Sequence, residues 1–319
     1  MMGTSAVAEN TKARPRRWRR IFKRVALILL AIAVILIFGV FPYWVARLAT
    51  NASTRPMDRR LTETPADLGA EFRDVEFLTA DGVKISAWLL PSRGKRVTIV
   101  YSHGLFRSRR ELLDRAIDLW RLGYGALLYD ARNHGDSGPA TTSLGYHERL
   151  DAQAAVRFLR EEIRAEDKIV LFGISMGAVT ALLAAAETPD VAAVISDTAF
   201  LSLEDTLKHH LKTFLRLPAF PLANEIQFFI EQRADFDGEK LSALDAVKRL
   251  GDRPVLFITG TNDKRMPPDI ARTLHAASQS RKSDLLIVDG PETTIHGHAY
   301  QAAPKLYIDR ITQFLESAW

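Results

Sequence analysis

From residue 25 to residue 46 the chain reads VALILLAIAVILIFGVFPYWVA, with no charge and no polar face, so a helix built from it has no side to turn to water. At 1.5 Å per residue such a helix spans about 30 Å, the thickness of a hydrocarbon core. Further along, short apolar runs alternate with helical patterns. TIVYS (98–102), GALLYD (125–130), KIVLF (168–172), VAAVIS (191–196), VLFIT (255–259) and LLIV (285–288) read as buried parallel strands. The stretches 110–121, 149–163 and 178–187 between them read as helices, making successive βαβ units. The fold this predicts is α/β: a mostly parallel, doubly wound sheet with helices on both faces. Ahead of it, VEFLTADGVKISAWLL (75–90) has two strand-like pieces around Ala80-Asp81-Gly82, a turn signal for an antiparallel hairpin at one sheet edge.

Charge changes this picture only at the start of the chain. The net charge is +5, but Lys12, Arg14, Arg16, Arg17, Arg19, Arg20, Lys23 and Arg24 stand against Glu9 alone, and beyond them 35 basic residues face 37 acidic ones. The remainder is slightly acidic and offers no general attraction for phosphate backbones, so nucleic acid is not an expected partner. There is no cysteine, which excludes disulfides, a thiol nucleophile and thiolate metal sites and is compatible with either side of a membrane.

The basic block before the apolar run should stay cytoplasmic, with Tyr43 and Trp44 at the interface and the rest of the chain outside the cytoplasm. Arg47, Arg55, Arg59 and Arg60 weaken that asymmetry without reversing it, because the upstream cluster is denser and closer. The expected organisation is a basic tail (1–24), a transmembrane helix (25–46), a linker (47–70) that lets the domain stand off the membrane, and the main α/β domain (71–319). A cleaved secretory signal is the competing reading of the run, but its apolar stretch exceeds the usual ~7–15 residues of a signal core.

After the strand KIVLF comes Gly173-Ile174-Ser175-Met176-Gly177, then the helix-forming run AVTALLAAAE. Strand, sharp turn and helix are the setting in which a serine hydroxyl is presented as a nucleophile, at a helix N-terminus where developing negative charge is favoured. The five-residue pattern alone is weak, and Ser175 could merely cap the helix; its position between strand and helix gives it weight. A serine nucleophile needs a neighbouring base, and the base an orienting carboxylate. His296 and His298 both follow the last strand and either could reach Ser175. Asp263 lies in the turn after the strand 255–259, and Asp197 follows the strand 191–196. An oxyanion hole needs two backbone N–H groups, for which Met176, after the nucleophile, and Leu105, in the loop after strand 98–102, are the candidates.

These residues carry a resemblance. His103-Gly104, Asp130-Ala131-Arg132-Asn133-His134-Gly135-Asp136-Ser137-Gly138, the Ser175 turn, Gly260-Thr261-Asn262-Asp263 and His296 occur in the chain order of the α/β-hydrolase superfamily. From about Val75 onward the chain resembles its monoacylglycerol-lipase-like and serine-aminopeptidase-like members. The resemblance implies the α/β-hydrolase fold with a small helical lid and a Ser175–His296–Asp263 triad. Asp263 is favoured over Asp197 by its Gly-x-x-Asp turn, and His296 over His298 by Ala299, Tyr300 and Pro304 downstream. His103 is then a turn-stabilising side chain, the loop 130–138 is structural, and Asn133 departs from the usual glycine.

Nearly sixty residues separate the strands 191–196 and 255–259, far more than a crossover needs, so a lid is expected over about 199–250. Its Leu211, Phe214, Leu215, Leu217, Phe220, Leu222, Ile226, Phe228, Phe229 and Ile230 either pack the lid onto the sheet or line a pocket for an apolar acyl substrate. His209 and His210 are adjacent, are expected to face different directions and make a poor metal site. The expected activity is a membrane-anchored serine hydrolase of carboxylic esters, on a small-molecule or lipid substrate, needing no cofactor and no metal. Peptide or amide cleavage, or acyl transfer, would use the same residues; a catalytically silent membrane-bound binding module is the reading from another class.

Overall fold

A computed structural model describes residues 14–161 and 167–319. The first residues of the basic tail, and the last two positions of the helix expected over 149–163, lie outside the described residues. The apolar run sits in one helical rod: an α-helix Arg14–Ile35, a π-helical turn Leu36–Val40 and an α-helix Phe41–Thr50. Pro42 accounts for the irregular turn, because it has no N–H to donate and its ring crowds the carbonyl four residues earlier; the Phe41 N–H bonds back to Leu36 O instead. Leu27, Leu29, Leu30 and Ile35 along the rod are exposed.

The sheet has eight strands: β1 Arg73–Leu78, β2 Lys84–Leu90, β3 Val97–Ser102, β4 Gly125–Tyr129, β5 Lys168–Ile174, β6 Val191–Asp197, β7 Val255–Gly260 and β8 Asp284–Val288. They lie in the order β1-β2-β4-β3-β5-β6-β7-β8. The expected hairpin is the β1–β2 edge; β2 is also antiparallel to β4, and every remaining pair is parallel. The central strands are apolar on both faces because both faces are covered. On one side lie the helices Glu148–Glu161, Met176–Glu187, Ala243–Arg249 and Pro268–Ala277, and on the other Leu113–Arg121 and Pro304–Ser317. After β3 the chain moves one way to β4 and then crosses back to β5. The carboxyl ends of β3 and β5 therefore flank the switch point of the sheet, where open α/β sheets form a crevice.

Residues 51–70, expected to be a linker, are laid along the domain instead. Arg55 N–H donates to Phe106 O (2.9 Å), Thr54 Oγ1 to Arg107 O (2.8 Å) and Asn133 Nδ2 to Ala52 O (2.8 Å), and Asp58 pairs with Arg107 at 2.9 Å. Each partner is remote in sequence, so composition reads as solvated a stretch whose polar groups are taken up by the fold. Asn133 has φ 64°, in the left-handed region where glycine or asparagine is tolerated best, which explains why asparagine can replace glycine there.

The segment between β6 and β7 contains the helix Leu203–His210, a π turn Leu211–Leu215, the helix Leu222–Ala234 and the helix Ala243–Arg249. The last packs against Met176–Glu187 with Ala243, Ala246 and Val247 fully buried, so the protruding part is shorter than the 199–250 expected. The lid's large apolar side chains divide. Leu211, Leu222, Ile226 and Ile230 are buried and hold it down, whereas Phe214, Leu215, Leu217, Phe220 and Phe228 are exposed.

Candidate active site

Ser175 follows β5 directly and opens the helix Met176–Glu187 with φ 54° and ψ −118°, a conformation costly for a residue bearing a Cβ. The flanking glycines make this turn possible. A Cβ on Gly173 would lie 1.9 Å from Gly177 O, and one on Gly177 would lie 2.0 Å from Ser102 O. The helix therefore sits hard against the ends of β3 and β5, and the serine is thrust outward. Its hydroxyl makes no capping bond to the helix. Instead His296 Nε2 lies 2.8 Å from Ser175 Oγ, and His296 Nδ1 lies 2.7 Å from Asp263 Oδ2.

Asp263 is almost fully buried in the turn after β7. Its other oxygen accepts from the Arg265 N–H (2.8 Å) and the Met266 N–H (3.0 Å), so the carboxylate is fixed from both ends. The carboxylate so held orients the imidazole, with Nδ1 toward Asp263 and Nε2 toward the serine. His298 has no place in this chain of bonds; it precedes the short helix Ala299–Ala302, and burial together with the Arg115 charge pushes its pKa down. Asp197 also stands apart, accepting from Tyr307 Oη at 2.6 Å.

The loop after β3 closes the other side. A Cβ on Gly104 would come 3.5 Å from the Ser175 Cβ, which places this loop against Ser175. The N–H groups of Leu105 and Met176 have no acceptor among the described residues, whereas the Gly104 N–H is already committed to Glu111 Oε2 at 2.6 Å. His103 holds the loop down. Its Nε2 accepts from the Ala131 N–H (2.9 Å), so Nδ1 carries the proton toward Gly104 O (2.8 Å). Burial pushes its pKa down to about 3 and keeps it neutral. Asp130 braces the neighbouring loop through the Arg109 N–H (2.7 Å) and the Asp136 N–H (2.9 Å).

Two supporting side chains escape a reading by motif. Glu111, partly buried beside the Gly104 loop, pairs with Arg107 at 3.2 Å, and desolvation is the main cause of its raised pKa. Arg115, fully buried, donates through Nη2 to Gly297 O (2.9 Å) next to His296. Both sit in the helical stretch 109–121, where a charged residue normally means a solvated face; only an unexpected charge on the sheet-facing side could have signalled them. His209 and His210 do not diverge as expected. Their Nε2 atoms lie 2.8 Å from Lys264 O and 3.2 Å from Arg265 O, so both rings turn to the acid-bearing turn, because successive helical residues can share one flank.

A strand–turn–helix serine at the switch point of such a sheet, within reach of a histidine, is the arrangement of the α/β-hydrolases as a class; the chain has the α/β-hydrolase fold and is an enzyme of that type. Residues 94–237 match the family model described as "Serine aminopeptidase, S33". The Bacillus subtilis protein YqkD is 28% identical over 268 residues, covering 81% of this chain and 88% of that one. The Saccharomyces cerevisiae membrane protein YNL320W is 23% identical over 230 residues, covering 70% and 73%. Among solved structures, the Pyrococcus furiosus esterase Pf2001 superposes with a TM-score of 0.66 at 27% identity, covering 80% of this chain and 96% of its own.

Proposed function

We propose that the protein is a membrane-anchored hydrolase of carboxylic esters, lipid or acyl esters among them, with Ser175 as nucleophile. The observation that carries this reading is the unbroken hydrogen-bond chain from Ser175 Oγ through His296 to Asp263, at 2.8 and 2.7 Å. Ser175 Oγ attacks the ester carbonyl while its proton passes to His296 Nε2; the C–O bond then breaks and the proton leaves with the alcohol. Water, deprotonated by His296, attacks the acyl-enzyme and releases the acid and the free serine. Asp263 holds the imidazole and stabilises its cation. The Leu105 and Met176 N–H groups receive the oxyanion, with the start of the helix Met176–Glu187 adding its dipole.

The anchor is the run 25–46, with the basic tail cytoplasmic and the catalytic domain on the other side of the cell membrane. The support is a long apolar rod with exposed side chains behind a basic block, and a yeast relative that is called a membrane protein.

Labelling by a fluorophosphonate probe tests the chemistry. Wild type and His298→Ala should label, and Ser175→Ala and His296→Ala should not. An unlabelled but folded wild type would leave a silent binding module standing. A second reading, amide or peptide cleavage, is favoured by the aminopeptidase family model. Matched esters and anilides of one acid separate the two: faster turnover of the anilide would replace the esterase reading. Among esters, rates should rise with acyl length, and a preference for acetyl would sink the lipid-ester reading.

A further inference from the structure

The lid helix Leu222–Ala234 lies alongside the anchor helix Phe41–Thr50. Near its end Arg233 donates through Nε to Thr50 Oγ1 (2.8 Å) and through Nη2 to Asn51 Oδ1 (3.0 Å). One turn earlier Phe229 meets the Tyr43 ring edge-on, with centroids 5.7 Å apart. The lid helix also touches the π turn Leu36–Val40. Rising numbers on one helix thus match rising numbers on the other, and the two run in the same sense. Tyr43 lies inside the apolar run 25–46, and the start of the lid helix is seven residues before Phe229, about 10 Å further toward the middle of that run. If the run occupies the hydrocarbon core, the start of the lid helix and the turn before it cannot lie in water beyond the headgroups.

The side chains at that depth fit such a place. Phe214, Leu215, Leu217 and Phe228 are exposed, and Phe220 is 80% exposed, an apolar group concentrated on one short part of the surface. Lys212 and Arg216 share the turn, and their stems are long enough to carry the charges back toward lipid phosphates. Around the end of the run, Trp44 within it and Arg47, Arg55 and Arg59 beyond it border one groove of about 540 Å³, the mixture of indole and guanidinium expected at headgroup level.

We infer that the lid is a membrane-embedded element: residues 214–220 and Phe228 dip into the leaflet beside the anchor, and the partner of this surface is the lipid acyl chains of that leaflet. The inference rests on the membrane reading above and goes further, since an anchor on a free linker would leave the lid in water. It also connects the bilayer to the site. The helix Leu203–His210 ends against the turn that bears Asp263, where its last two residues, His209 and His210, lie within hydrogen-bond distance of Lys264 O and Arg265 O, and the chain passes from them directly into the turn Leu211–Leu215 that leads to the embedded residues.

The chain has no cysteine, so single-cysteine variants can be labelled cleanly with a nitrobenzoxadiazole dye in the full chain reconstituted in phosphatidylcholine vesicles. Leu29→Cys reports on the anchor, Phe220→Cys on the lid, and Leu122→Cys on the opposite end of the sheet; all three positions are exposed, so no core is disturbed. Doxyl-labelled lipid should lower the emission of the labels at 29 and 220 about twofold or more and leave the label at 122 unchanged. Quenching at 29 with the label at 220 behaving like that at 122 overturns the inference while the anchor stands. No quenching at 29 overturns the anchor and the inference together.

Discussion

Two aspartates close neighbouring strands of one sheet, and their surroundings give them different work. Asp197 ends β6 and Asp263 follows β7, and both are almost fully buried. Asp263 accepts two backbone N–H groups on one oxygen and faces His296 with the other. Asp197 accepts the Tyr307 hydroxyl, and burial, opposed by the Arg115 charge, pushes its pKa up to about 6. Burial is common to both; the backbone donors are not. The tight turn after β7 aims two amides at one oxygen of Asp263, which fixes the direction in which the other is presented.

The largest effect should come from breaking this contrast at Asp263. Asp263→Asn keeps the shape but offers His296 an amide that can impose the wrong tautomer, and kcat should fall by about 10⁴-fold with KM little changed. Asp197→Asn should alter kcat by less than about threefold, since Tyr307 and not His296 is its partner. Steady-state kinetics on one soluble ester checks both, and comparable losses at the two positions would refute the assignment of the acid.

That Asp263 and not Asp197 faces the histidine was legible only in part. The strands, their parallel pairing and the edge hairpin follow from period and composition, since a strand covered on both faces must be apolar throughout. Ser175 was legible because its two glycines are dictated by contacts of about 2 Å that no side chain could survive. The choice between the two aspartates rested on a local turn pattern, which can register the backbone donors to Asp263 because they lie only two and three residues away. Glu111, Arg115 and the docking of residues 51–70 were not legible. Their partners are tens of residues away, and a charged side chain in a helix, or a polar one in a Pro- and Thr-bearing stretch, carries no mark of what will cover it.

Glu111 sharpens the comparison as a third carboxyl, partly buried, that orients a backbone amide where Asp263 faces a side chain. Removing the acceptor of the Gly104 N–H frees the loop that carries Leu105, so Glu111→Ala should lower kcat by about tenfold to a hundredfold through poorer oxyanion binding. A merely structural role would lower the melting temperature and leave the kcat of the remaining folded enzyme intact. Glu111→Gln, which keeps an acceptor but loses the pair with Arg107, should recover part of the loss.

The smallest effect concerns stability, and its sign follows from Asp197 alone. A carboxyl whose pKa rises from 3.8 in the unfolded chain to about 6 in the folded protein binds its proton more tightly when folded. Its contribution to stability is complete below the unfolded value and is lost as pH rises through the folded one, between about pH 4 and pH 6. Asp197→Asn cannot ionise and should escape that loss, so the variant should gain relative to wild type as pH rises across this window. Melting curves of wild type and Asp197→Asn at pH 4 and pH 7 decide the matter. A difference between the two proteins that does not change with pH would mean that the fold does not tighten proton binding at Asp197.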